Sequence, residues 1–151
     1  MSRADVRLEW IEVDDPRMVA VHDLRHEALF APFGIPRDDG WDDVGVDRRH
    51  VIAVLDGEVV GYASLLLGDD GTGHVRQVCV QPLLHGGGVG SAVMREVDAE
   101  GVRLGLSLLW LNARVTAEAF YRRLGWRTVS GVFPSGRTGV PHVRMERLPG
   151  E

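Results

Sequence analysis

The chain switches between two hydrophobic periods, and each switch marks an element. Residues 6–13 mix apolar and charged positions in strand-like alternation, with Leu8, Trp10 and Val13 on the apolar side. Asp14, Asp15 and Pro16 then signal a helix start, and Val19, Val21, Leu24, Ala28 and Leu29 follow at near-helical spacing. From residue 32 to 47, Pro, Gly and Asp surround Trp41, the pattern of a long loop or a broken second helix. Residues 51–55 and 58–67 are β-rich runs joined by Asp56-Gly57, a hairpin signal. A turn over 68–73 leads to an apolar strand at 75–80, stopped by Pro82. Residues 88–104 place Val89, Val93 and Val97 at four-residue steps, with Gly105 as the stop. The nearly all-apolar run 106–111 reads as a buried strand. A short helix over 116–124 closes at Gly125, and 126–132 and 140–148 finish as strands. The order β-α-(loop/α)-β-β-β-α-β-α-β-β predicts an α/β (α+β) fold, one mixed sheet with helices packed on it.

Composition narrows the class. The 151 residues suit a single domain, 1–151, with no repeat, low-complexity tract or linker to divide it. Hydrophobic and charged fractions of 44% and 26% are ordinary for a globular protein. No apolar run approaches the ~18–20 residues that span a bilayer, and the N-terminus lacks a secretion-signal layout. The single cysteine, Cys79, excludes a disulfide framework and a Cys-based zinc site, so a reduced, cytoplasmic protein without a metal is expected. Net charge is −5 and no basic run is present, which disfavours nucleic acid. The charge is unevenly placed. Residues 1–70 carry 16 Asp/Glu against 7 Arg, and residues 71–151 carry 6 against 10, with no lysine anywhere. Such asymmetry is either solvated surface or the imprint of two ligands, one cationic and one anionic.

The segment Leu84-His85-Gly86-Gly87-Gly88-Val89-Gly90-Ser91 lies between a predicted strand and a predicted amphipathic helix. Glycines allow close backbone approach, and the first N–H groups of a helix are unpaired and carry the positive end of its dipole. That combination favours phosphate oxygens over the alternative of a merely flexible loop. A Walker loop would need a lysine after its last glycine, and the chain has none. A dinucleotide fingerprint fails too, because its third glycine position falls on Ser91 or Val93.

The stretch Gln81-Pro82-Leu83-Leu84-His85-Gly86-Gly87-Gly88-Val89-Gly90-Ser91-Ala92 resembles the acetyl-CoA motif of the GNAT superfamily, [QR]-x-x-G-x-[GA], with His85 at its first position. Ala119-Phe120-Tyr121-Arg122-Arg123-Leu124-Gly125-Trp126 is similar to the family's A-x-x-Y-x-x-x-G-F helix end. Gly139-Val140-Pro141-His142-Val143-Arg144-Met145, with Leu24-Arg25 and residues 47–54, resembles the ElaA-like branch of small GNAT proteins. That branch usually carries Glu-Gln where this chain has Pro32-Phe33. The resemblance implies a GNAT-like central mixed, mostly antiparallel β-sheet flanked by α-helices. It also implies an N-acetyltransferase with acetyl-CoA as cosubstrate and an amine as acceptor, joined by direct transfer in a ternary complex. Edge strands near the C-terminus, which often make dimers in the family, make a homodimer the candidate assembly. A non-catalytic acyl-CoA-binding or regulatory domain of the same fold is the alternative.

The resemblance assigns roles residue by residue. Gly86, Gly87, Gly88, Val89, Gly90 and Ser91 would cradle the pyrophosphate, with His85 beside them. Main-chain groups of the strand holding Val78, Cys79 and Val80 would bind pantetheine and polarise the thioester. Arg114 stands where many relatives place an Asn that contacts pantetheine, and Asn112 is its substitute. Arg122 and Arg123 would flank the 3′-phosphate or adenine, or form a solvated helix end. Tyr121 would serve the leaving thiolate as proton or hydrogen-bond donor. His142 is the candidate base, ahead of His74 and Glu27, although ordered water serves many relatives instead. Cys79 as a covalent nucleophile lacks an activating base nearby in sequence. Asp38, Asp39, Asp42, Asp43 and Asp47, with Trp41 and Phe33, are expected to form an acidic acceptor pocket for an ammonium group.

Overall fold

The computed structural model describes residues 6–41 and 46–151. Its frame is an eight-stranded sheet built from β1 (Arg7–Ile11), β2 (Asp47–Leu55), β3 (Glu58–Leu67), β4 (Thr72–Val80), β5 (Leu108–Arg114), β6 (Arg127–Thr128), β7 (Phe133–Pro134) and β8 (Pro141–Arg147). The order across the sheet is β1-β2-β3-β4-β5-β8-β6, with β7 also paired to β8. Every pairing is antiparallel except β4 with β5. The β2–β3 hairpin turns at Asp56 and Gly57, both at positive φ (50° and 79°), as its Asp-Gly sequence predicts.

Helices cover both faces. The helix α1 (Met18–Arg25) runs on as a π turn (His26–Phe30) and a 3-10 turn (Ala31–Phe33). It buries Met18, Val21 and Leu24 against Ile52, Val54, Tyr62 and Cys79. On the other face, α2 (Val89–Arg103) sets Val89, Val93, Met94 and Val97 against Val51, Leu65, Val75 and Leu109. Each such side chain contributes about 1.5–3 kcal/mol by leaving water. The short α3 (Glu118–Arg123) adds Tyr121 and, through its following turn, Trp126 to the same core. Among the described residues no helix is long and apolar enough to cross a membrane.

The sequence reading differs from the structure mainly toward the C-terminus. The apolar run at 106–111 enters the sheet only at Leu108, because its start still closes α2, with the Leu106 N–H given to the Gly101 carbonyl (2.9 Å). The strand expected at 126–132 shrinks to Arg127–Thr128, and β7 was not foreseen.

A buried polar pair beneath α1 sets an acid limit to stability. His50 Nδ1 and the Tyr62 hydroxyl share a hydrogen bond of 2.6 Å, and His50 is 3% exposed. Burial, reinforced by the Arg48 and Arg25 charges, holds the His50 pKa at about 4, below its ordinary 6.5. Only the unfolded chain therefore takes up this proton between those values. His50 should leave stability unchanged above about pH 6.5, lower it as pH falls toward 4, and add nothing further below that, by about 3 kcal/mol in all. Urea midpoints measured from pH 7 to pH 4.5 check this, and His50→Gln should flatten that part of the profile.

Candidate active site

The site begins where the sheet fails to close. β4 and β5 pair only over Thr72–His74 and Leu108–Trp110, and beyond those positions the strands part. At the tip the His74 and Trp110 rings lie stacked, 3.5 Å between centroids. Past the tip β4 carries a bulge. The register with β3 shifts between Tyr62 and Ser64, and Gln77 sits at φ 57°. A bulge adds a residue to one strand and bends it, which turns β4 away from β5. The result is a cleft of about 1100 Å³ lined by both strands, the glycine turn and α3. Gln81 gives its N–H to Val60 on the β3 side (2.8 Å). Alternation along the strand therefore aims the N–H groups of Val80 and Val78 into the cleft.

The bulge is held from beneath. Arg25, 1% exposed, donates from Nε to Gln77 Oε1 (2.7 Å) and from Nη2 to the Gly40 carbonyl (3.3 Å). Its Nη1 meets His22 Nδ1 at 2.8 Å, and its guanidinium lies 4.1 Å from the centre of the Trp41 ring. No carboxylate of the described residues pairs with it. A buried cation costs free energy unless its donors are satisfied, so these contacts fix both Arg25 and the strained Gln77 backbone. Sequence reasoning noticed Leu24-Arg25 only as part of a resemblance. A contact spanning 52 positions left no local signal.

At the open end of the cleft, α2 starts without a cap. Gly88 precedes it at φ 89°, with no side-chain cap and no acidic residue in the first turn. The first helical bond runs from the Ala92 N–H to the Gly88 carbonyl (3.0 Å), which leaves the N–H groups of Val89, Gly90 and Ser91 without helical partners. Gly86, Gly87, Gly88, Gly90 and Ser91 line the cleft, while the Val89 side chain is buried in the core. His85 lines it too, but its Nε2 is bonded to the Val80 carbonyl (3.1 Å). In the first motif position, this imidazole closes the end of β4. Arg122 turns away to Glu118 (3.1 Å) and Thr128 (3.3 Å), and Arg123 is the helix-end arginine that reaches the cleft. Of the two arginines expected at the 3′-phosphate or adenine, or at a solvated helix end, Arg123 lines the cleft and Arg122 does not.

Tyr121 and His142 come to the same cleft from different elements. Tyr121 is 7% exposed, and burial pushes its phenol above the usual range despite the opposing charge of Arg114. The group is a standing proton donor at neutral pH. His142 Nδ1 lies 2.7 Å from the Val140 carbonyl. A carbonyl only accepts, so Nδ1 carries the hydrogen and, in the neutral ring, Nε2 keeps its lone pair. Asn112 is exposed in the cleft wall, and His74 also lines the cleft. Glu27 is exposed and does not line it.

The Cys79 side chain belongs to the α1 core, and burial pushes its thiol up to about 12. A thiol so held has almost no thiolate at neutral pH, which removes it as a nucleophile. Cys79→Ala should keep transfer rates within about twofold and should block any covalent acyl adduct only if Cys79 carries one, as intact-mass spectrometry would reveal.

Of the aspartates expected around the acceptor, the described ones do not line the cleft. Asp39 pairs with Arg37 (2.9 Å) and Asp38 with Arg137 (3.5 Å). Asp47 is exposed at the start of β2, and Asp42 and Asp43 lie outside the described residues. Trp41 is packed among Arg25, Arg48 and His50, and Phe33 lies under Arg114. No Asp or Glu of the described residues lines the cleft, whereas Arg76, Arg114, Arg123 and Arg137 do.

Comparison with known proteins agrees with this architecture. Residues 9–126 match the Acetyltransferase (GNAT) family. The chain belongs to that family. It is 28% identical over 122 residues to the uncharacterised N-acetyltransferase YjcF of Bacillus subtilis, covering 81% of this chain and 86% of the relative. Over 140 residues it is 27% identical to ElaA of Escherichia coli, with 90% of each chain covered. The crystal structure of Escherichia coli ElaA superposes with a TM-score of 0.78 at 25% identity, over 93% of this chain and 99% of that one. An aminoglycoside 6′-N-acetyltransferase solved with coenzyme A shares the fold at a TM-score of 0.79 and 15% identity, over 96% and 98%. As a GNAT protein the chain is an N-acetyltransferase, and acyl transfer is its general chemistry.

Proposed function

We propose that this GNAT protein moves an acetyl group from acetyl-CoA directly to an amine while both are bound. The observation that carries the reading is the continuity of one cleft. It runs from the uncapped N-terminus of α2, along the free edge of β4, to Tyr121 and His142. Unpaired N–H groups beside a helix dipole fit a pyrophosphate, and no carboxylate of the described lining residues opposes one. A protein of the same fold, an aminoglycoside 6′-N-acetyltransferase, has been solved with coenzyme A. Acetyl-CoA supplies an activated thioester.

The chain's own residues do the rest. N–H groups of Val78 and Val80 hold the pantetheine arm and polarise the carbonyl as negative charge develops on its oxygen. His142 Nε2 takes the proton that the amine must shed. The Tyr121 phenol hydrogen-bonds the departing sulfur. A thiol is more acidic than this buried phenol, so the hydrogen bond, rather than complete proton transfer, is the contribution expected of Tyr121.

The test is acetyl-CoA binding by calorimetry, followed by thiol release with a panel of amines. Binding with amine-dependent release supports transfer. Binding without release by any amine would favour the binding or regulatory domain, and no binding by folded protein would sink the reading.

A further inference from the structure

The acceptor half of the cleft has a chemistry that the acyl-transfer reading leaves unexplained. Its described lining includes Arg114, which stands opposite His142, and Arg137, and no acidic side chain. A wall of that kind suits an anionic group better than a bare ammonium. We propose that the acceptor amine carries a carboxylate next to its nitrogen, as an α-amino acid does, and that Arg114 binds that carboxylate. This deepens the acetyl-transfer reading and rests on it.

Arg114 ends β5, half-buried, with its guanidinium 4.8 Å from the centre of the Phe33 ring. No carboxylate of the described residues pairs with it. An aromatic contact engages the flat face of a guanidinium and leaves the donors along its edge available for a two-pronged grip on a carboxylate. In the β5–β8 register Arg114 lies directly opposite His142. Cross-strand partners stand about 4.5–5.5 Å apart at Cβ. In an α-amino acid one carbon separates nitrogen from carboxylate, so a carboxylate gripped by Arg114 brings the amine to the His142 side. The Arg114 charge is also felt by the Tyr121 phenol, which places both near the point of transfer.

Arg137 supplies a second cation at the rim. Its guanidinium lies 4.8 Å from the Phe30 ring centre and is anchored by Asp38 at 3.5 Å. Phe30, which lines the cleft, offers an apolar wall for the amino acid's side chain. The coenzyme phosphates have their own place at the start of α2, on the other part of the cleft, which leaves Arg114 for the acceptor.

The experiment uses matched triples at saturating acetyl-CoA: an α-amino acid, its carboxamide and its decarboxylated amine, with small, aromatic and acidic side chains represented. Wild type should favour the acid over the amide at least about tenfold in kcat/KM. Arg114→Gln should erase that preference mainly through KM, Arg114→Lys should restore part of it, and the acetyl-CoA dissociation constant should stay unchanged in both. Titration of the preferred acid into CoA-loaded protein should show the same loss in Arg114→Gln without turnover. Equal or better rates with the amide or the decarboxylated amine would overturn the proposal. So would failure of every acid while acetyl-CoA still binds, or weakened acetyl-CoA binding in Arg114→Gln, which would make Arg114 a cosubstrate ligand. Failure of wild type to bind acetyl-CoA at all would instead bring down the underlying reading, and this one with it.

Discussion

Gly88→Glu is expected to raise the acetyl-CoA dissociation constant at least about a hundredfold. Two effects add. Gly88 sits at φ 89°, where a side chain costs about 1–2 kcal/mol. The new carboxylate would also stand at the N–H groups of Val89, Gly90 and Ser91, satisfying them and repelling phosphate. Gly88→Ala separates the two, because it brings the strain without the charge, and should weaken binding about tenfold or less. Calorimetry on both variants, with melting curves to confirm folding, gives the answer. Unchanged affinity in Gly88→Glu would remove the start of α2 from the cosubstrate site.

Tyr121→Phe is expected to lower kcat by about a hundredfold while acetyl-CoA affinity stays near that of wild type. The ring is preserved, so its edge contacts with Phe120 (5.0 Å) and Trp126 (6.1 Å) survive and the core should not loosen. Only the hydroxyl in the cleft is lost. Because burial raises the phenol's pKa, the wild-type rate should show no decline from Tyr121 ionisation below about pH 10. A Phe variant with full activity would reduce Tyr121 to a packing residue.

What the sequence disclosed follows from how locally each feature is encoded. The glycine turn and α2 were legible because an uncapped helix start needs only consecutive residues, Gly86 to Ser91, and the valine spacing behind them. The Asp56-Gly57 hairpin was legible for the same reason. The bulge at Gln77 was not, since no residue there announces a positive φ and its support, Arg25, arrives from another layer. For the acceptor side, the sequence shows where acidic residues cluster but not what they pair with: Asp39 meets Arg37 and Asp38 meets Arg137. The cations that do line the cleft come from β4, from the end of β5, from α3 and from the turn before β8, scattered over 62 positions between Arg76 and Arg137. Counting charges by halves of the chain shows an acidic first half and a basic second half, but not which of those charges face the cleft.

The parting of β4 from β5 also bears on how long the molecule stays folded. Beyond the last shared pair, His74 with Trp110, the sheet becomes two leaves hinged at one end. A molecule lying between them acts as a clasp, and whatever free energy it gains by binding is added to the cost of opening. At a hundredfold excess over its dissociation constant that gain is about 2.7 kcal/mol. The supply of acetyl donor in the cell would then govern the lifetime of this protein as well as its rate, with starved molecules opening and meeting proteases more often than fed ones.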